Sequence, residues 1–205
     1  LYVAAIAGVA GLVLLSRSKG KVTKPNPNHE TWKTWAWPVP VINGRHPVVS
    51  DTFQMEKTEK HRRHPGVDIM FRKVAGDPEF PVSSKMFTAI SRKTPVIATA
   101  DGKIWSAGMT PRGLQVTVDH GNVPGVGPTV TWYQHLSALA KDWKKGDSVK
   151  RGQVLGLMGG DPIPGGHALI HLHFELWFPK KGAHPHTWNA DPLLYLKNFE
   201  KLEIA

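Results

Sequence analysis

The sequence predicts a mainly β protein, an antiparallel sheet or β-sandwich preceded by an N-terminal hydrophobic helix. Three observations predict it. From Trp32 onward the apolar runs are of strand length, rich in β-branched and aromatic residues. Gly- and Pro-containing turn signals such as Asp101-Gly102 and Gly159-Gly160-Asp161 separate them. Residues 170–176 (IHLHFEL) alternate strictly between apolar and polar, the period of a half-buried strand.

The elements follow in order. Residues 1–15 (LYVAAIAGVAGLVLL) are uninterrupted apolar or small sequence ended by Ser16-Arg17-Ser18-Lys19. A membrane span needs ~20 such residues. The chain does not begin with Met, so further residues are expected upstream, and 1–15 is read as a transmembrane anchor. Residues 16–31, polar and interrupted by Pro25 and Pro27, read as a linker. The domain is expected over 32–205, with Trp32, Trp35 and Trp37 tacking the linker onto it. Strands are expected at Pro95–Ala100, Gly113–Val118, Thr129–Tyr133, Gln153–Met158 and Leu169–Phe178. His120-Gly121 reads as a turn, and Pro192–Phe199 as a short closing helix.

Composition narrows the chemistry. Among 205 residues there is no Cys, so a metal can be held only by His and carboxylates, and eleven His are available. The formal charge is +10, from 26 Lys and Arg against 16 Asp and Glu. That balance favours an acidic partner. No basic helix, zinc finger or nucleic-acid-stacking aromatic motif is present, so a cell-wall polymer or anionic lipid ranks above specific nucleic acid.

Candidate ligands lie in two clusters. His64-Pro65-Gly66-Val67-Asp68 puts a His in a loop and an Asp at the start of a strand, because Pro65 favours an extended His64 and Gly66 interrupts any helix. In 170–176, alternation sets His171, His173 and Glu175 on one strand face and Leu172, Phe174 and Leu176 on the other. A third segment, Thr131–Leu136, ends a strand on His135. A catalytic zinc takes three protein ligands and keeps an open position. His64, Asp68 and either His171 or His173 meet that description, and spacing alone does not choose between the last two. Two neutral His with one carboxylate leave a formal +1 centre, suited to lowering the pKa of bound water toward ~7.

These motifs, in this order, resemble the lysostaphin-type (LytM-like) zinc metallopeptidases over about residues 35–196. The resemblance rests on His64-Pro-Gly-Val-Asp68, Tyr133-Gln-His135-Leu136 and His171-Leu-His173-Phe-Glu175. Supporting segments are Trp37-Pro-Val-Pro40, Ala100-Asp-Gly102, Val118-Asp-His-Gly121, Gly146-Asp-Ser-Val149, Gly152–Gly156 and Asp191-Pro192-Leu193. The resemblance implies a lysostaphin-like sheet and zinc ligation by His64, Asp68 and His173. It also implies a catalytic pair, His135 and His171. The implied activity is hydrolysis of the peptide crosslinks or bridges of bacterial peptidoglycan. Some relatives have lost a ligand and serve as non-catalytic regulators, the alternative reading; all five positions are intact here.

The chain departs from the family at Arg72–Lys93, an insertion between the Asp68 strand and the next. Glu175 is read either as a residue orienting a ligand or as a solvated strand residue. His61, His184 and His186 are read as surface residues near the groove, and Gly146–Gln153 as part of the fold. With the apolar run at 1–15, the resemblance implies a membrane-anchored enzyme at the cell envelope or periplasm. Arg17, Lys19, Lys21 and Lys24 after that run favour the cytoplasmic side. A virion-borne enzyme, or further charges upstream, would reconcile the two.

Overall fold

A computed structural model of the chain describes residues 24–56, 63–72, 87–88, 93–160, 170–182 and 187–204. The expected membrane helix at 1–15, most of the Arg72–Lys93 insertion, and His61, His184 and His186 lie outside the described residues. Among the described residues no helix is long and apolar enough to cross a membrane.

The β-branched runs become strands, as their side-chain bulk favours. In chain order they are β1 (Val41–Ile42), β2 (Pro47–Asp51), β3 (Val67–Arg72), β4 (Phe87–Thr88), β5 (Pro95–Ile97), β6 (Gly102–Thr110) and β7 (Gly113–Val123). Then come β8 (Gly127–Leu139), β9 (Ser148–Val149), β10 (Val154–Gly160), β11 (Ile170–Trp177), β12 (Asn189–Ala190), α1 (Leu193–Leu196) and β13 (Glu203–Ile204). The main sheet runs β2-β3-β11-β10-β8-β7-β6-β9, with β11 also paired directly to β8, and β4, β5 and β12 added at β3, β10 and β11. Its pairings are antiparallel; a separate β1–β13 pair is parallel.

Alternation divides the strands into two faces. Val67, Ile69 and Phe71 of β3, Leu172, Phe174 and Leu176 of β11, and Tyr133 of β8 are fully buried in the core. Each large apolar side chain so buried contributes roughly 1.5–3 kcal/mol. The intervening residues, Asp68, His171, His173, Glu175, Trp132 and Gln134, take the other face.

Around Trp32 the chain closes on itself. Its ring meets Trp35 and Tyr195 edge-on at 5.1 and 5.0 Å and stacks on Phe199 at 6.0 Å. Tyr195 Oη donates to Pro25 O, Asn198 Nδ2 to Pro27 O and Trp32 Nε1 to Asn26 O, at 2.8–3.0 Å. The described part of the expected linker, from Lys24 onward, is thus docked against the domain. The closing helix forms within the predicted span, shortened to Leu193–Leu196.

His120 and Gly121 differ from expectation. They lie inside β7, at a register shift between Asp119 and Asn122, where Gly121 takes φ +67°. Glycine absorbs the bulge without a Cβ penalty, so the strand continues where the sequence suggests a turn. The His120 ring lies 4.6 Å from Trp35, with Nδ1 2.9 Å from the Asp101 carbonyl and Nε2 2.8 Å from Thr131 Oγ1.

Candidate metal centre

His64 is fixed before its side chain meets any ligand. Its backbone exchanges hydrogen bonds of 2.6 and 2.7 Å with Gln54, pinning the loop to the segment after β2. Nδ1 lies 2.7 Å from the Thr52 carbonyl. A carbonyl only accepts, so Nδ1 carries the proton and Nε2 presents a lone pair. His173 is set in the same way with the nitrogens exchanged: Nε2 lies 3.1 Å from Glu175 Oε1, leaving the lone pair on Nδ1.

Asp68 stands directly across from His173 in the β3–β11 ladder. The three inward atoms form a tight triangle. His64 Nε2 is 3.1 Å from Asp68 Oδ1 and 2.9 Å from His173 Nδ1, and His173 Nδ1 is 3.0 Å from Asp68 Oδ1. A tetrahedral zinc with bonds of ~2.0 Å sets its ligands ~3.3 Å apart, close to these separations. Three lone-pair atoms at such distances repel one another unless a cation lies among them. The donor set, two imidazoles and one carboxylate, fits zinc.

The electrostatics have the same sense. Burial acts to lower the pKa of His173, but the carboxylates of Asp68 and Glu175 outweigh it and raise it to about 9. Burial of His64 is likewise overcome by Asp68 and the Thr52 carbonyl, so its pKa is raised. Burial would raise Asp68, yet hydrogen bonds from His173 and His64 hold it well below the usual carboxylate range.

Glu175 is buried, at 1% exposure, and so is no solvated strand residue. Besides His173, it accepts from Gln134 Nε2 at 2.9 Å, Trp177 Nε1 at 2.7 Å and Asn189 Nδ2 at 2.6 Å. Gly66 makes this packing possible: a Cβ there would lie 2.4 Å from Phe174 O and 2.9 Å from both Glu175 Cγ and His173 Nε2.

His171 and His135 complete the cluster. His171 Nε2 is 3.7 Å from Asp68 Oδ2, beyond hydrogen-bonding distance but within electrostatic reach. Simple alternation along β8 would send His135 into the core with Thr131 and Tyr133. Instead the ladder slips on both sides of this point, and His135 adopts φ +63°. This left-handed bulge turns the ring to the site face, 4.9 Å from His171 and 5.7 Å from His173. All five residues singled out from the sequence therefore meet. Sequence reasoning missed the Thr52 carbonyl, Gln134 and Asn189. Gln134 had a signal in its place beside His135 on an alternating strand; Asn189 had none.

Residues 84–185, about half of the chain, match the sequence profile of Peptidase family M23. The chain carries a peptidase M23 domain. The stretch matched to M23 holds His135, His171 and His173, while His64 and Asp68 lie upstream of it. The chain is 36% identical over 105 residues to the glycyl-glycine endopeptidase ALE-1 of Staphylococcus capitis, covering 51% of this chain and 26% of that protein. It is 30% identical over 109 residues to an uncharacterised metalloprotease of Buchnera aphidicola, covering 53% of this chain and 26% of the relative. The chain thus spans about a quarter of the length of these curated relatives. Its M23 fold is also that of lytM from Ruminococcus gnavus, with a TM-score of 0.56 at 20% identity over 86% of this chain and 65% of the other.

Proposed function

We propose that this M23 protein is a zinc-dependent endopeptidase that hydrolyses the peptide crosslinks or bridges of bacterial peptidoglycan. The observation that carries the reading is the convergence of His64 Nε2, Asp68 Oδ1 and His173 Nδ1 within 3.1 Å, beside two further imidazoles. In this reading those three residues hold zinc, and His135 and His171 are catalytic. Zinc held there would supply a Lewis acid for a peptide carbonyl and lower the pKa of water in its open position.

The chain's own groups do the rest. Thr52 and Glu175 fix the tautomers by accepting from the opposite ring positions, so that in the neutral rings the lone pairs of His64 Nε2 and His173 Nδ1 face inward. His171, next to Asp68, and His135, next to His171, lie where they can donate to an oxyanion and pass a proton to the departing amine. The wall substrate is supported by ALE-1, whose name describes a glycyl-glycine endopeptidase. Anchorage at the envelope, in a membrane or a virion, rests on the apolar run at 1–15.

The test combines zinc analysis with digestion of purified sacculi by the full chain. One zinc per chain and release of peptide amines are expected. Bound zinc without cleavage would instead favour a non-catalytic regulator.

A further inference from the structure

A cavity of about 590 Å³ adjoins the metal triad, and the two arginines that line it take no part in the hydrolysis described above. Glu175 and Asn189 line it from β11 and β12, Trp132 and Trp177 line it with rings 4.7 Å apart in an edge-to-face contact, and Arg63 and Arg112 line it as well. The two arginines come from distant segments. Arg63 immediately precedes His64, and Arg112 lies in the turn between β6 and β7.

The cavity begins where the triad ends, because Glu175 Oε1 is 3.1 Å from His173 Nε2. Strands advance ~3.3 Å per residue, so Glu175 and Trp177 stand about 7 and 13 Å along β11 from His173. An extended peptide with its reacting carbonyl at the triad would bring a residue two to four positions away into this space. Aromatic walls suit the apolar stem of such a residue, and guanidinium groups match a carboxylate in a two-pronged geometry. Two guanidinium groups against the single Glu175 carboxylate leave the lining with a formal charge of +1, and the Glu175 oxygens are already engaged by His173, Gln134, Trp177 and Asn189.

We propose that Arg112 and Arg63 form a carboxylate subsite, selecting peptides with a free carboxylate two to four residues from the scissile bond over uncharged bridges. The proposal rests on the endopeptidase reading above and narrows its substrate.

The test uses the zinc-loaded full chain and two synthetic peptides that differ only in bearing that carboxylate or its carboxamide. Short fragments of each, lacking the scissile bond, are titrated by calorimetry, and kcat/KM is measured for the intact pair. The carboxylate form should be favoured about tenfold in both measurements, as a charge-assisted pair provides. Arg112→Gln should remove most of that preference, Arg63→Gln should reduce it, and Arg112→Lys should keep part of it. Zinc content and melting temperature check that each variant retains the fold. Equal binding of the two fragments by the wild type, binding of neither, or a preference surviving in the double glutamine variant would overturn the subsite. Failure to cleave either peptide, with the binding preference intact and lost in Arg112→Gln, would overturn the endopeptidase reading and leave the subsite standing.

Discussion

Asp68 and His173 are direct cross-strand partners on β3 and β11, and Asp68 Oδ1 lies 3.0 Å from His173 Nδ1. The carboxylate touches the imidazoles of both His64 and His173, so on the proposed ligand set its removal should do more than delete one ligand. Asp68→Ala is expected to abolish zinc retention and peptidase activity together. Elemental analysis and a sacculus assay check this, and an active or zinc-loaded variant would remove Asp68 from the ligand set.

His135→Ala and His171→Ala should behave differently. Both rings adjoin the triad without forming part of it, so zinc content should stay near one per chain. Turnover should fall by about 10²–10⁴, with the loss mainly in kcat. Metal loss from either variant would mean that it ligates.

Gly66→Ala should be among the more damaging single-methyl additions in the molecule. Its Cβ would meet the Phe174 carbonyl at 2.4 Å and press on Glu175 and His173. Overpacking of this kind costs about 1–3 kcal/mol. A melting temperature lower by several degrees and weakened zinc binding are expected. Unchanged values would show that the loop shifts freely.

His120 predicts a pH effect remote from the metal. Burial pushes its pKa down to about 4, against 6.5 for the ordinary side chain. The unfolded chain therefore binds more protons between these values. The associated stability is fully present above pH 6.5 and lost as pH falls toward 4. Thermal melts from pH 7.5 to 4.5 should show this decline, and His120→Asn should flatten it over that window. Identical slopes would indicate that His120 ionises without strain.

The fold class was legible because β11 writes its two faces into the alternation of 170–176. The candidate triad was legible in part because His64 and Asp68 sit in a segment whose Pro and Gly exclude helix. Spacing could not choose between His171 and His173. Both share a face; in the fold it is His173 Nδ1 that closes the triangle with His64 and Asp68, while His171 stands 3.7 Å from Asp68. The bulge at His135 was hidden for a different reason: a left-handed residue in a strand follows from ladder slippage against two neighbours, which are not local in sequence. β6 left little trace because only Ile104 within it is buried.

The β3–β11 pairing also bears on how the molecule is made. His64 and His173 are 109 positions apart, and no local segment can bring their nitrogens to 2.9 Å. Closing a loop of that length is a late, entropically costly event, and its contacts give nothing in return until both strands are in register. During synthesis a metal ion held by this triad would have no complete seat until β11 has left the ribosome and found β3. Acquisition of the metal would then be a timestamp of finished assembly, and a truncated or misregistered chain would stay chemically silent.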